Sequence, residues 1–299
     1  MRRAYFLSVA ALVIGVSVNA PAQQNFDTVQ VKTVPIATGL YELIAAPNIG
    51  NIGLSVGDDA VFVIDDQFAP LTPKILAAIK AITPKPVRFV VNTHWHPDHT
   101  GGNENLANTG AVIFAQENVR KRLSSDQFIE ALNSHTTAQP PAALPLVTFS
   151  TGLTFHINGD SVVVTYVPNA HTDGDAVIFF TKANVLHTGD AFVSDRMPFA
   201  DLSSGGSIKG FIAGSEKLLA MINAQTKIIP GHGPVTDRTK LQTFRAMLLA
   251  MQTKMATEVK AKKTIEQVLA DSITKAYEKE FPLNHERFVR LLFQEMTRK

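Results

Sequence analysis

Short apolar, β-branched runs alternate with stretches of helical period along most of this chain. Ile49 to Val56 and Ala60 to Ile64 are two such runs, and Gly57-Asp58-Asp59 between them is a hairpin signal. Leu71, Ile75, Ala78, Ile79 and Ile82 recur at helical spacing, and Thr83-Pro84-Lys85-Pro86 ends that helix because proline cannot continue it. Val87 to Val91 is almost continuously apolar, as a strand buried on both faces should be. Ala111 to Ala115 reads as a further strand, followed by a helix from about Gln116 to Asn133.

Ser134 to Pro145 is polar and proline-rich and is expected to divide two halves. Beyond it Leu153 to Ile157, Ser161 to Val167, Ala176 to Thr181 and Val185 to His187 read as strands. A helix from about Ser207 to Asn223 precedes the short strand Lys227 to Ile229. From about Asp237 the pattern is helical to the end, broken at Pro282. Strands and helices mixed in this order predict sheets covered by helices, a layered α/β fold.

The first 24 residues belong to a different category. Arg2-Arg3, an apolar stretch from about Ala4 to Val18 and then Ala20-Pro21-Ala22 form the three regions of a secretory signal. The expected organisation is a signal peptide over 1–22, a catalytic domain over 23–236 and a helical extension over 237–299. An uncleaved N-terminal anchor is the alternative. The address implied is a bacterial periplasm, with no stable membrane association after cleavage.

Composition narrows the function. Apolar residues at 45% and charged residues at 18% exclude a disordered chain. The net charge of +2 falls to zero without Arg2 and Arg3, which argues against a nucleic-acid partner and for a small-molecule substrate. There is no cysteine, so disulfides, thiolate ligands and cysteine nucleophiles are excluded.

The strongest signal follows the strand Val87–Val91. His94-Trp95-His96-Pro97-Asp98-His99 places three of the nine histidines and an aspartate within six residues. Histidines at i and i+2 on extended backbone project the same way and can grip one ion. Asp98 and His99, on the turn that follows, can face a neighbouring ion. One catalytic zinc needs three protein ligands and two need six or seven, so further donors are required. His171, Asp190 in Thr188-Gly189-Asp190 and His232 in Pro230-Gly231-His232-Gly233 supply them on later post-strand loops. His135, His156, His187 and His285 lie outside these motifs, and Trp95 is expected to pack or to wall a pocket.

HxHxDH, a single histidine, TGD and PGHG, in that order, resemble the metallo-β-lactamase superfamily from about Gly39 to Pro234. The resemblance implies a four-layer αββα sandwich with a dinuclear site, here two zinc ions or another divalent metal. It implies His94, His96 and His171 on the first metal, Asp98, His99 and His232 on the second, and Asp190 bridging them. Asp65 matches an aspartate that supports such sites from behind. The implied chemistry is hydrolysis of amide- or ester-type bonds (β-lactam, lactone or thioester) by a hydroxide generated on the metals, with Asp98 orienting it.

The chain departs from the single-cysteine lactamase pattern in having Asp190 where those enzymes have cysteine. Lysine and asparagine are both missing from 191–206, where Arg196 is the sole cation. That favours esterase-like members such as lactonases and glyoxalase II. A diiron redox protein on the same fold would carry glutamate at the position of His96.

Overall fold

A computed structural model describes residues 25–46 and 49–298; the signal-like segment lies outside them. Among the described residues no helix is long and apolar enough to cross a membrane.

Strands β1 (Lys32–Ala37), β2 (Leu40–Ile44), β3 (Ile52–Val56), β4 (Val61–Ile64), β5 (Val87–Val91) and β6 (Val112–Gln116) lie side by side in chain order. β7 (Gln127–Ile129) and β8 (Ser134–Thr136) form a separate ribbon, and β9 (Val147–Phe149) returns beside β6 to complete a seven-stranded sheet. A second sheet holds β10 (Gly152–Ile157), β11 (Asp160–Tyr166), β12 (Ala176–Phe180), β13 (Val185–His187) and β14 (Lys227–Ile229), again in order. The helices are α1 (Thr72–Ile82), α2 (Pro97–Thr100), α3 (Asn103–Asn108), α4 (Glu117–Leu123), α5 (Ile208–Met221), α6 (Arg238–Lys260), α7 (Ile265–Ala270) and α8 (His285–Thr297).

The two-residue period of a strand builds the layers. On β4, Val61 and Val63 turn outward to Leu71, Ile75, Ile79 and Leu106 of the α1–α3 face. Phe62 and Ile64 turn inward to Val162, Val164, Ile178 and Phe180 of the second sheet. Val177 and Leu186 point from the second sheet towards Phe211, Leu218, Leu241 and Phe244 of α5 and α6. Helices, sheet, sheet, helices follow in that order, the four-layer α/β sandwich expected from the motifs. Phe281, Phe288 and Leu292, from α8 and the segment before it, are buried in the same outer cluster as Met247 and Met251 of α6. The C-terminal helices are thereby continuous with the outer layer.

Two expectations need correction. The helix placed over 116–133 ends at Leu123. The polar run Ser124-Ser125-Asp126-Gln127 satisfies itself locally, with Asp126 accepting from Ala138 N at 2.8 Å and Gln127 donating to Ser125 Oγ at 2.9 Å. Such side-chain bonds compete with helical ones, and the chain turns into β7 instead. The division between halves also falls later than 134–145. β9 pairs in parallel with β6, so the first sheet closes at Phe149 and the second opens at Gly152. β1, β2 and β9 lacked a legible pattern; β9 and β1 are half-exposed strands at the two edges of the first sheet.

Candidate metal centre

β5 runs parallel to β4 and β6, and its C-terminal end delivers Asn92 to His99 to the seam between the sheets. His96 remains extended (φ −63°, ψ 149°), and Pro97, with its fixed φ, opens the short helix α2 that carries Asp98 and His99. β4 ends alongside: Asp65 N bonds Val91 O, and Asp66 N bonds His99 O. Asp65 (φ 62°) and Gln67 (φ 58°) adopt left-handed backbone, a local strain held by these contacts. From the second sheet, His171 follows β11, Asp190 sits in the tight turn after β13, and His232 follows β14. Gly231 allows the last two to meet, since a Cβ there would overlap the Asp190 carboxylate and the Gly189 backbone.

All seven sequence-selected residues converge. Donor atoms of His94, His96 and His171 lie within 4.8 Å of one another, as do those of Asp98, His99 and His232. A third overlapping set is His94, His99 and Asp190. The Asp190 carboxylate is central, with Oδ2 3.6 Å from His171 Nε2 and 3.2 Å from His232 Nε2, and Oδ1 3.3 Å from His99 Nε2.

Proton positions can be deduced from partners that only accept. His171 Nδ1 donates to Phe199 O at 2.6 Å, which leaves Nε2 as a lone pair. His96 Nε2 donates to Asp201 Oδ2 at 3.1 Å, which leaves Nδ1 as a lone pair. Those two bare nitrogens face each other at 2.8 Å. Thr93 Oγ1 gives its proton to Asp65 Oδ2 at 2.7 Å and accepts from His94 Nδ1 at 3.1 Å, so His94 Nε2 is bare too, buried and without a partner. Burial holds His94 well below its usual pKa and presses His171 down to about 4, so both rings are neutral. Three lone pairs converging on one point repel unless a cation stands between them.

The second group is starved of positive charge in the same way. Asp65, Asp98 and Asp190 meet only histidines among the ion pairs of the described residues. His99 donates through Nδ1 to Asp65 Oδ2 at 2.7 Å, and its Nε2 is buried without a hydrogen-bond partner beside the other carboxylates. Burial lowers its pKa, but the Asp98, Asp190 and Asp65 carboxylates outweigh that and hold it well above normal. Burial likewise raises Asp190, and the surrounding His232, His99 and His171 override it, keeping the carboxyl ionised. A donor set of imidazoles and carboxylates, with orphaned buried atoms, fits divalent metal ions.

A family model of the metallo-beta-lactamase superfamily matches residues 45–237, most of this chain. The chain belongs to the metallo-beta-lactamase superfamily. It is a member of a metallo-hydrolase family with a histidine–aspartate cluster able to hold divalent metal. The metallo-beta-lactamase IND-1 of Chryseobacterium indologenes is 26% identical over 147 residues, spanning 49% of this chain and only 56% of that protein. The structure of DIM-1 metallo-beta-lactamase superposes with TM-score 0.60 at 17% identity, covering 74% of this chain and 98% of that one. A stereoselective inverting sec-alkylsulfatase, Pisa1 from Pseudomonas sp., gives TM-score 0.67 at 16% identity, covering 89% of this chain and 50% of its own. At these identities the structural likenesses speak for the fold alone.

Residues outside the superfamily motifs complete the centre. Asp201 anchors His96 from 105 positions away, and its Oδ1 is itself held by Ser203 and Ser204. Asp175 fixes the His171 loop, accepting from His171 N at 2.6 Å and from Thr172 N and Oγ1. Burial pushes its carboxyl up to about 8 against those bonds. Neither aspartate stands in a motif, so only long-range contact could reveal it. Asp65 stands behind His99 as the resemblance implied. Trp95 packs against Ala115, Val119 and Leu123. Of the other histidines, His187 is a buried latch, accepting from Gly189 N and donating to Asn51 O, and burial lowers it to about 4. His135 stacks on Phe128, and His156 meets Ser161 on the surface. Arg196, the sole cation of 191–206, is engaged by Asp195 at 2.6 and 3.1 Å. A cleft of about 340 Å³ opens over the cluster, reaching Asp98, His171, Asp190 and His232.

Proposed function

We propose that this chain is a dizinc hydrolase acting in the bacterial periplasm on small substrates with ester-type bonds, chiefly lactones or thioesters, with β-lactam turnover secondary. The observation that carries this reading is the central carboxylate of Asp190, which lies within 3.6 Å of His171, His99 and His232. A hard carboxylate shared by both groups would suit a site for two divalent cations, whereas a soft thiolate would favour one.

When bound, such a metal pair supplies Lewis-acid polarisation of a carbonyl and a hydroxide nucleophile at neutral pH. The chain's residues supply the rest. Asp98 reaches the cleft with its side chain 22% exposed while Oδ2 lies 3.4 Å from His232 Nε2. We assign it the role of orienting the attacking hydroxide. Asp65, Asp201 and the Phe199 carbonyl each hold one imidazole by the nitrogen that points away from the centre, which fixes ring and tautomer. Phe68, Val193 and Met197 line the cleft and limit water around the scissile bond.

The deciding experiment is steady-state kinetics at zinc saturation on homoserine lactones, thioesters, nitrocefin and carbapenems, with metal content measured in parallel. Higher kcat/KM for lactones or thioesters, with two zinc equivalents bound, supports the reading. A penicillin or carbapenem value well above every ester would make this a dedicated lactamase. One ion or none bound at saturating zinc, with the fold intact, would remove the dinuclear site. Cell fractionation of the full chain, with N-terminal sequencing of the product, tests the periplasmic address.

A further inference from the structure

One wall of the cleft comes from outside the superfamily motifs. Asn284 and Arg287, at the start of α8, line it beside the metal ligands, beyond the matched residues 45–237. Phe199 links that wall to the centre. Its ring centroid lies 5.9 Å from the Arg287 guanidinium carbon and 5.6 Å from the His171 ring. The cation thus stands about one aromatic ring away from the ligand cluster.

Nearby arginines are already engaged. Arg290 pairs with Glu286, Arg298 with Glu130 and Arg196 with Asp195. Arg287 meets no carboxylate among the ion pairs of the described residues, and its guanidinium carbon lies over the face of Phe199. Asn284 has left-handed backbone (φ 68°), and its side chain makes no capping bond to α8, which leaves the amide for the cleft. Apart from Ser134 and the Asp195-paired Arg196, the lining between this polar wall and the ligand cluster is largely apolar, with Phe68, Ile129, Leu132, Val193 and Met197. A substrate entering here meets the ligand cluster at one end, apolar walls along its body and an uncompensated guanidinium at the other.

We propose that Arg287, assisted by Asn284, determines specificity by binding a carboxylate carried by the substrate a few bonds from the scissile carbonyl. This rests on the ester-hydrolase reading above and names its substrate class. The bond changes are those of hydrolysis. Water oxygen bonds to the carbonyl carbon, the carbon–oxygen or carbon–sulfur bond to the leaving group breaks, and one proton of the water passes to that group. Arg287 keeps its proton throughout and acts by position and charge.

Two para-nitrophenyl esters of matched length test it on the zinc-loaded protein: the neutral pentanoate and the hemiester of glutarate, which ends in a carboxylate. The wild type should favour the glutarate ester at least about tenfold in kcat/KM, as expected for one charge-assisted contact. In Arg287→Met that preference should collapse towards one, through KM. Absence of a preference in the wild type, or a preference unchanged in Arg287→Met, overturns the proposal. Calorimetry with free glutarate gives a reading independent of turnover, with weaker binding to Arg287→Met expected. If neither ester is hydrolysed, the hydrolase reading fails by itself, and glutarate binding unaltered by the substitution would then overturn the anion site too.

Discussion

Asp201→Asn should weaken one metal position while leaving the fold intact. Asp201 is buried, and three donors hold its Oδ1: Ser203 N at 3.1 Å, Ser204 N at 3.2 Å and the Ser203 hydroxyl. Those donors require an oxygen, so the new amide nitrogen must take the place of Oδ2, 3.1 Å from His96 Nε2. A donor then faces a donor. His96 can escape only by moving its proton to Nδ1, which destroys the lone pair aimed at His171, or by rotating out of line. Removing such a partner costs about 10- to 100-fold in metal affinity, or about 1.4–2.7 kcal/mol. The cap on the Ser203–Ser204 turn survives, so circular dichroism and the melting temperature of the metal-free protein should change little. Competition against a chromophoric chelator, fitted for two ions, measures the effect directly. The loss should fall on the ion served by His94, His96 and His171. Unchanged affinity at both positions would refute the assigned tautomers, and equal weakening of both would mean that Asp201 acts through the fold.

Asp98→Asn should retain the fold and lower kcat/KM by roughly 100-fold, since it removes both a ligand charge and the carboxylate that orients water; wild-type rates would place Asp98 outside the chemistry. His135→Ala, a change at an exposed ring stacked on Phe128, should leave activity intact and serves as the control. Gly231→Ala drives a methyl into the Asp190 carboxylate, so metal analysis should show sub-stoichiometric zinc, together with about 1–3 kcal/mol of overpacking strain in thermal unfolding; full zinc occupancy would show that the turn can yield. Glu42 is raised by burial from 4.5 to about 7, only partly offset by Lys32, so folding takes up a proton between those values. Stability therefore falls as pH rises from 4.5 to 7, and Glu42→Gln should remove about 2.5 kcal/mol of the difference between denaturant titrations at pH 5 and pH 8.

Local pattern sufficed for much of the architecture. Val87–Val91, Val185–His187 and Lys227–Ile229 read as strands with the bounds they have in the fold, because strands buried on both faces need nearly unbroken apolar runs. Four of the seven clustered residues were legible for a related reason: three histidines and an aspartate in six residues are the side-chain types that holding a metal would demand. Edge strands were not legible, since β1 and β9 expose one side and carry mixed polarity. Nor was the end of α4, where side-chain hydrogen bonds from Asp126 and Gln127 overrode helical spacing. Only tertiary structure could bring Asp201 to His96 across 105 residues, Phe199 O to His171 across 28, or Arg287 to the cleft. These groups act through the distance and direction of a single contact, and a distance between remote segments leaves no periodicity in the chain. What the donors are is written locally; which nitrogen of each imidazole faces inward is decided by the packed partners behind them.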